Sequence, residues 1–295
     1  MKRSLDKAKK NKSDEFYTQL IDIEKELSKG YKEFLKGKKV FCNTDNYEKS
    51  NFVKYLKTNF KDFELKSVES LDIDGNYMFY DGNAEKTQKF DSGEFEGEET
   101  KRILEQVDVV ITNPPFSLFR DFIRIMMDYN KDFIVIGSQN AVTYKDISPL
   151  IKEEKVFIGH TYGTMKFRVP KDPAYERKTA YWVDEDGQPW RSLGNIIWLT
   201  TFPVSREKDF LTTKATYSAD KYSEFDNYPA INIDRVNQIP LDYKGIMGVP
   251  VTFLNRWNPA QFKIIGFRKG QDGKDLRGQG RDKYFRVLIK KIKEL

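Results

Sequence analysis

The chain has 295 residues and a formal net charge of +6, which leaves room for one large α/β domain, or a catalytic domain with an appendage, and favours contact with polyanions. One cysteine, Cys42, and one histidine, His160, exclude an internal disulfide and a Cys/His zinc cluster, so no metal site is expected. No apolar run approaches the roughly 20 residues of a membrane span, and none follows the basic N-terminus as a secretory signal, so we expect a cytoplasmic protein without a membrane contact.

The first half of the sequence predicts short strands that alternate with amphipathic helices. Residues 1–12 are basic and predict a solvated arm. Apolar residues recur at helical spacing between residues 20 and 27 and again between residues 52 and 56, which predicts two amphipathic helices. Short segments rich in β-branched and aromatic residues predict buried strands, at residues 39–42, 63–68, 107–112, 133–137 and 156–159.

Further elements complete the predicted sheet. A turn at Asp81-Gly82-Asn83 lies between two alternating segments and predicts a β-hairpin between the second and third strands. A helix is expected at residues 97–106, and the apolar segment 195–201 predicts another strand. Alternation of strands and helices is typical of an α/β fold with a doubly wound, mostly parallel sheet.

One turn carries the clearest chemical signal, the end of the segment Asp-Val-Val-Ile-Thr-Asn-Pro-Pro-Phe at residues 108–116. An apolar strand delivers this turn to the carboxyl end of the sheet, where α/β folds bind ligands. The side-chain oxygen of Asn113 and the carbonyl oxygen of Pro114 can each accept one hydrogen from an adenine amino group, which turns the nitrogen lone pair toward a sulfonium methyl group. Pro114 and Pro115 keep the turn rigid because proline fixes φ, and Phe116 can stack on the base. The turn predicts methyl transfer, although similar turns also serve RNA guanine N2 and protein glutamine.

Several ordered blocks carry a resemblance over nearly the whole chain. They are residues 14–19, 41–52, 108–116, 136–147, 194–202, 225–232 and 245–266. In these blocks the sequence resembles the EcoRI-type adenine-specific modification methylase family. The resemblance implies a methyltransferase domain at residues 13–201 that transfers a methyl group from S-adenosylmethionine to adenine N6 in DNA, with residues 161–193 as an active-site lip. Residues 202–295 would then form a DNA-recognition region that returns its last strand to the core.

The resemblance also implies which residues bind the cofactor. The N-terminal block, placed against the methionine part of the cofactor, supplies Phe16, Tyr17 and Thr18. The first strand and its loop supply Phe41, Cys42, Asn43 and Asp45. The glycine-rich loop of most methyltransferases is absent here, so the Asn-Thr-Asp-Asn turn at residues 43–46 must reach the cofactor with a different loop shape.

Acidic residues complete the implied cofactor site. Glu69, near the end of the second predicted strand, is assigned to the ribose hydroxyls. Asp91, Glu94 and Phe95 resemble the block before the catalytic strand, where an acidic group meets the cofactor adenine. Cys42 is expected to be a buried strand residue and not a nucleophile, because N-methylation needs no covalent enzyme intermediate.

The expected partner is double-stranded DNA, from which the target adenine must be flipped out. Candidate phosphate contacts are the basic residues of the second half: Lys166, Arg168, Arg177, Lys178, Arg191, Arg206, Lys208, Arg268, Lys269, Lys274, Arg277 and Arg281. A monomer and a cognate restriction endonuclease in the same system are also expected. Two alternatives stay open at this point, an RNA guanine-N2 methyltransferase and a non-catalytic DNA-binding protein on a methyltransferase fold; the intact Asn-Pro-Pro-Phe turn argues against the second.

Overall fold

The computed structural model describes residues 16–292. It divides the chain into a first unit, Met1–Ala141 with Thr161–Phe202, and a second unit, Val142–His160 with Pro203–Leu295. Residues 142–160, expected in the methyltransferase domain, therefore group with the second unit. The predicted arm at residues 1–12 lies outside the described residues.

The helices of the described residues are short. They are α1 (Leu20–Leu27), α2 (Lys32–Leu35), α3 (Asn51–Thr58), α4 (Glu98–Gln106), α5 (Phe119–Asp128), α6 (Ser148–Lys152) and α7 (Pro173–Glu176). Single 3-10 turns lie at Phe116–Leu118, Gln139–Thr143, Val204–Glu207, Val236–Gln238 and Val251–Arg256. Among residues 16–292, every helix is too short or too polar to serve as a membrane span.

Local sequence explains the helix after the first strand. The Ser50 hydroxyl accepts hydrogen bonds from the backbone N–H of Phe52 at 3.1 Å and of Val53 at 3.4 Å, and therefore caps the N-terminus of α3. Phe52, Val53, Tyr55 and Leu56 are buried, which is the apolar face that the helical spacing predicted. The Phe52 ring meets the buried Trp198 ring edge-on, with centroids 6.0 Å apart.

Nine strands form the first sheet of the described residues. They are β1 (Lys39–Asn43), β2 (Ser67–Leu71), β3 (Asn76–Tyr80), β4 (Glu85–Lys89), β5 (Val109–Thr112), β6 (Asp132–Ser138), β7 (Phe157–Arg168), β8 (Tyr181–Val183) and β9 (Pro189–Thr200). Their order is β4-β3-β2-β1-β5-β6-β9-β7, with β8 paired to β9.

This sheet is parallel only at its centre. β1 pairs in parallel with both β2 and β5, and β5 pairs in parallel with β6. The β3–β4 hairpin and β9 pair antiparallel to their neighbours. The α/β fold class is confirmed, with a mixed sheet in which a parallel core places the carboxyl ends of β1, β2 and β5 at one edge.

The second unit contains a separate five-stranded sheet. Its strands are β10 (Glu224–Phe225), β11 (Tyr228–Asn232), β12 (Ile246–Pro250), β13 (Phe262–Phe267) and β16 (Arg286–Lys291), in the order β10-β11-β12-β16-β13. A small hairpin pairs β14 (Arg277–Gly278) with β15 (Arg281–Asp282). The last strand, β16, therefore belongs to this sheet and does not return to the large one.

The predicted elements differ from the structure mainly in their lengths. The hairpin at residues 81–83 is confirmed, because β3 and β4 pair on either side of it. The second strand begins at Ser67 and not at residue 63, since residues 60–64 form a turn instead. β7 continues to Arg168, well beyond the predicted end at residue 159.

Candidate active site

The site is built at the carboxyl edge of the parallel strands. Asn43, the last residue of β1, lies opposite Leu71, the last residue of β2. On the other side of β1, the Thr112 hydroxyl at the end of β5 lies 2.7 Å from the Asn43 carbonyl oxygen. Asn113 and the proline turn follow Thr112 directly, so the turn leaves the sheet beside the end of β1.

Asn113 is held in one orientation by the N-terminal segment. Its Nδ2 donates to the carbonyl oxygen of Phe16 at 2.9 Å and lies 3.3 Å from the hydroxyl oxygen of Thr18. A carbonyl oxygen can only accept, so the nitrogen of the amide must face Phe16. The remaining atom, Oδ1, is buried and has no hydrogen-bond partner among residues 16–292. The site therefore holds a fixed, unused acceptor.

The two prolines of the turn differ in what their carbonyl oxygens can bind. The carbonyl oxygen of Pro115 accepts from the backbone N–H of Leu118 at 3.0 Å and begins the 3-10 turn Phe116–Leu118. Pro114 is buried and precedes this turn. Because Pro115 is engaged within its own turn, Pro114 is the better placed of the two prolines to offer its carbonyl to a ligand.

Phe16 forms the centre of an aromatic cluster that the sequence did not reveal. Its ring stacks on Phe116 with centroids 5.6 Å apart and planes inclined by 26°. Phe167 and Tyr175 meet it edge-on at 5.4 and 6.1 Å, and the Arg191 guanidinium lies 5.6 Å from its centroid. The Phe116 ring, assigned to adenine stacking from the sequence, thus stacks on Phe16 in this conformation.

Backbone pairing fixes the N-terminal segment in place. Tyr17 and Arg168 exchange two backbone hydrogen bonds, at 3.0 and 3.3 Å. The Thr18 carbonyl oxygen accepts from the side chain of Asn51 at 2.7 Å. Phe16 and Thr18 are therefore anchored on both sides of Tyr17, which explains how they can hold Asn113.

Asp45 lies in the loop after β1 and contacts the end of β5. Ser50 donates to its Oδ1 at 2.6 Å, and the Thr112 hydroxyl lies 2.6 Å from its Oδ2. Burial raises the pKa of Asp45 to about 6, and the two hydroxyl contacts oppose the rise. The Thr112 hydroxyl has one hydrogen but lies close to two oxygens, those of Asp45 and Asn43. A protonated Asp45 that donates to Thr112 satisfies both contacts.

This contact predicts a pH-dependent stability. Between about pH 4 and pH 6 the folded protein keeps the Asp45 proton that the unfolded chain has lost. The contribution of Asp45 to the free energy of unfolding therefore falls as pH rises, by at most ~1.4 kcal/mol per pH unit. Asn at this position carries no charge at any pH. In urea unfolding across this range, Asp45→Asn is therefore expected to lose less stability with rising pH than the wild type. Equal slopes for the two proteins would contradict the raised pKa.

The predicted β1 residues differ in what they can offer a cofactor. Phe41 and Cys42 are fully buried, and burial raises the pKa of the Cys42 thiol well above its usual value, with a further contribution from the charge of Asp45. The thiol therefore stays protonated and is no nucleophile. Asn43 is also fully buried, but neither Oδ1 nor Nδ2 has a partner among the described residues. Its backbone and amide lie where β1 meets the edge of the sheet.

The second strand presents a different carboxylate from the predicted one. Glu69 lies in the middle of β2, where it pairs with Phe41 and Phe79, and its Oε2 accepts from the Tyr77 hydroxyl at 2.7 Å. Burial raises the pKa of Glu69. Asp72, directly after β2, is buried and reaches the edge instead. The strand begins and ends later in the chain than predicted, so Glu69 lies in mid-strand and Asp72 lies directly after the strand end.

Asp72 is held by two asparagines. Its Oδ2 accepts from Asn46 at 2.6 Å and from the Asn76 side chain at 2.7 Å, and its Oδ1 accepts from the Asn76 backbone at 2.8 Å. A carboxylate offers about four acceptor sites, so one remains for a ligand. A signal for it existed in the sequence, since an acidic residue follows an apolar strand end at Leu71-Asp72 as it does at Asn43-Thr44-Asp45.

The predicted block at residues 91–95 packs against the same corner. The Gly93 N–H donates to the Ile73 carbonyl oxygen at 3.2 Å, and a Cβ at Gly93 would lie 1.8 Å from the Asp72 carbonyl oxygen. Phe95 is buried, whereas Asp91 is exposed. The structure therefore brings this block next to Asp72.

Glu94 has a local role besides the assigned one. Its carbonyl oxygen accepts from the Thr100 hydroxyl and the Gly97 N–H, both at 2.8 Å, where α4 begins.

Among the described residues, no group of three or more His, Cys, Asp or Glu is placed to hold a metal ion.

Comparison with known proteins places the chain among adenine-specific enzymes. The family model described as adenine-specific methyltransferase EcoRI matches residues 4–91 and 68–292. Type II methyltransferase M.EcoRI of Escherichia coli is 42% identical over 97% of this chain and 95% of its own. Type II methyltransferases M.MpnI of Mycoplasma pneumoniae (36%) and M.MgeORF184P of Mycoplasma genitalium (34%) match 96% and 97% of this chain and 97% and 98% of their own. No solved structure shows a significant match.

Proposed function

Because the chain belongs to the EcoRI family of adenine-specific methyltransferases and is a DNA adenine methyltransferase, we propose that Asn113 and Pro114 bind the N6 amino group of a flipped adenine, which receives its methyl group from S-adenosylmethionine. The observation that carries this proposal is the buried, unused Oδ1 of Asn113. A buried acceptor without a partner is costly, and an N–H of the adenine N6 amino group would satisfy it.

The chemistry of Asn113 follows from its fixed orientation. Because Nδ2 is bound to the Phe16 carbonyl, Oδ1 is presented to the substrate without a rearrangement at the moment of reaction. An acceptor at Oδ1 and a second at the Pro114 carbonyl polarise the two N6 hydrogens and favour the pyramidal nitrogen of the transition state. Neither residue needs to ionise. The Thr112 hydroxyl contacts Asp45, so a hydrogen bond joins the end of β5 to the loop after β1.

The residues at the sheet edge fit the proposed cofactor. S-adenosylmethionine, when bound, supplies a methyl group that its sulfonium makes electrophilic. The unpartnered Asn43 amide offers a donor and an acceptor at the end of β1. Asp72 would accept from the ribose hydroxyls, as a carboxylate after the second strand does in nucleotide-binding α/β folds. The adjacent block at 91–95 would line the adenine of the cofactor.

The aromatic cluster bears on substrate entry. One face of the Phe116 ring is occupied by Phe16. A flipped adenine that stacks on Phe116 therefore takes the opposite face or replaces Phe16. Base extrusion costs a few kcal/mol, and base–aromatic stacking of ~1–3 kcal/mol offsets part of that cost.

The relatives are named type II methyltransferases, which supports a role in a restriction–modification system. We further propose that the enzyme acts site-specifically on double-stranded DNA as a cytoplasmic monomer, beside a cognate endonuclease. The non-catalytic alternative is disfavoured, because a fold that only bound DNA would have no use for the oriented acceptor at Asn113.

Product analysis tests this function directly. Purified protein is incubated with methyl-tritiated S-adenosylmethionine and either duplex DNA or transfer RNA, and the nucleic acid is digested to nucleosides. We expect the label in N6-methyldeoxyadenosine from DNA alone. Label in N2-methylguanosine from RNA would favour the alternative enzyme, and no label in either would overturn the proposal.

A further inference from the structure

The twelve candidate basic residues differ in the ion-pair and hydrogen-bond partners of their side chains. Within the second unit, several of them are already paired with carboxylates: Arg206 with Glu154, Arg268 and Lys269 with Asp275, and Arg277 with Asp272. Lys208 donates to the carbonyl oxygens of Ile158 and Asn255. By contrast, Lys166 and Arg168 of the first unit have no ion-pair partner within the described part of the chain, and the same holds for Arg177, Lys178, Arg191, Lys274 and Arg281. Lys166 and Arg168 differ from these five because they lie together on one strand, each beside a tryptophan ring.

Both residues lie on one face of β7. The residues Thr164, Lys166 and Arg168 are exposed, whereas the intervening Met165 and Phe167 are buried. This alternation is that of a strand with one face packed and one face in solvent. The exposed face carries no acidic residue between Thr161 and Arg168.

Two tryptophans on the neighbouring strands complete this surface. Trp182 of β8 lies opposite Trp190 of β9, and their rings stack with centroids 6.1 Å apart and planes inclined by 8°. Arg168 lies 5.3 Å from the Trp190 centroid, and Lys166 lies 5.8 Å from that of Trp182. We call Lys166, Arg168, Trp182 and Trp190 the cation–tryptophan row.

We propose that the cation–tryptophan row binds the phosphate backbone of the substrate DNA beside the target adenine. This rests on DNA being the substrate. A guanidinium that lies over an aromatic face keeps its N–H donors in the plane of the group, where they can bind a phosphate in a bidentate manner. The tryptophans hold both cations on rigid strands, so less side-chain entropy is lost on binding.

The charge of the row suits this partner. The acidic residues 184–186 lie in the turn between β8 and β9 and not on the strands. Asp184 accepts from the indole N–H of Trp190 at 2.7 Å, and this bond, together with the charge of Arg168, lowers the pKa of Asp184. On the strands themselves the row presents two cations held by a sheet, which matches a phosphodiester chain better than an apolar partner.

The row is also continuous with the active site through the same strands. Phe167 and Arg191 alternate with Arg168 and Trp190 along β7 and β9, and both contact the Phe16 ring. Phe16 in turn accepts the hydrogen bond of Asn113. One face of these strands thus supports the catalytic residue, while the other presents the two cations.

The salt dependence of DNA binding tests the row. Affinity is measured by fluorescence anisotropy over a range of salt concentrations, with a labelled duplex that the wild type methylates and a matched duplex without the target site. Each of the two variants Lys166→Gln and Arg168→Gln should make the slope of log affinity against log salt concentration shallower by about 0.9 on duplex DNA. Both duplexes should lose affinity by the same factor, since phosphate contacts carry no sequence information.

Matched variants separate this contact from other causes. Lys101→Gln removes an exposed lysine of α4 that is paired with Glu98, and its slope should equal that of the wild type. Arg168→Lys keeps the charge and should keep the slope, although the bidentate contact is lost. If the glutamine variants show the wild-type slope, or if Arg168→Lys loses as much slope as Arg168→Gln, the row does not bind phosphate. A wild type that binds no DNA would instead refute the proposed function.

Discussion

Asn113→Ala is expected to lower the rate of adenine methylation at saturating substrates by about 10²–10³, the loss typical of removing one preorganised hydrogen-bonding group from a catalytic site. The physical reason is that Oδ1 is oriented by the Phe16 carbonyl and has no other partner among the described residues. The interaction strengthens as the amino nitrogen becomes pyramidal, so the loss appears in kcat and not only in KM. Single-turnover methylation with labelled cofactor measures it.

Two controls make this result specific. Calorimetric titration of S-adenosylmethionine into Asn113→Ala should give an affinity close to that of the wild type, because Asn113 itself is not among the residues proposed to bind the cofactor. Asn59→Ala removes a comparable bond in the same unit, from Nδ2 to the Tyr55 carbonyl at 2.9 Å, and should leave the rate unchanged. Near wild-type turnover in Asn113→Ala would reject the role of Oδ1.

Gly93→Ala is expected to destabilise the protein and to weaken cofactor binding together. A Cβ at this position would lie 1.8 Å from the Asp72 carbonyl oxygen, and a backbone atom cannot move aside as a flexible side chain can. Overpacking of this kind costs ~1–3 kcal/mol or more. Because relief of the clash displaces Asp72 from the block at 91–95, the affinity for S-adenosylmethionine should fall as well.

Gly194→Ala provides the matched control for this prediction. Gly194 lies on β9, and its added Cβ would meet nothing within 4 Å, so both stability and cofactor affinity should stay near wild-type values. Urea unfolding and calorimetric titration of the two variants give the comparison. If Gly93→Ala retains wild-type stability and affinity, the close packing of Asp72 against residue 93 is wrong.

The parts of the site that the sequence predicted are those with a local signal. Asn113 and its prolines follow an apolar strand within one contiguous segment, so their place at the end of β5 could be inferred without any contact. The hairpin at residues 81–83 and the capped helix α3 are equally local, because turn chemistry and helical spacing act over a few residues. The family resemblance added the reaction and the substrate.

The predicted boundaries of the second strand were wrong. These boundaries determine which side chain lies at the carboxyl edge of the sheet. The apolar residues Phe63 and Leu65 made the second strand look as if it began before Ser67. Glu69 was therefore placed near the strand end, whereas the structure has it in mid-strand, bound to Tyr77. Strand ends depend on the pairing partners, which for β2 are β1 and β3.

The sequence by itself determined the α/β class and the position of the Asn-Pro-Pro-Phe segment directly after an apolar strand, because strand periodicity and this segment are encoded in short stretches of chain. Only the tertiary structure decided how Asn113 is oriented, since its partner Phe16 lies 97 residues earlier. It also decided that Asp72 meets Gly93 and that β7 and β9 bring Phe167 and Arg191 to Phe16. Such contacts arise only when distant segments pack together, and no local periodicity encodes them.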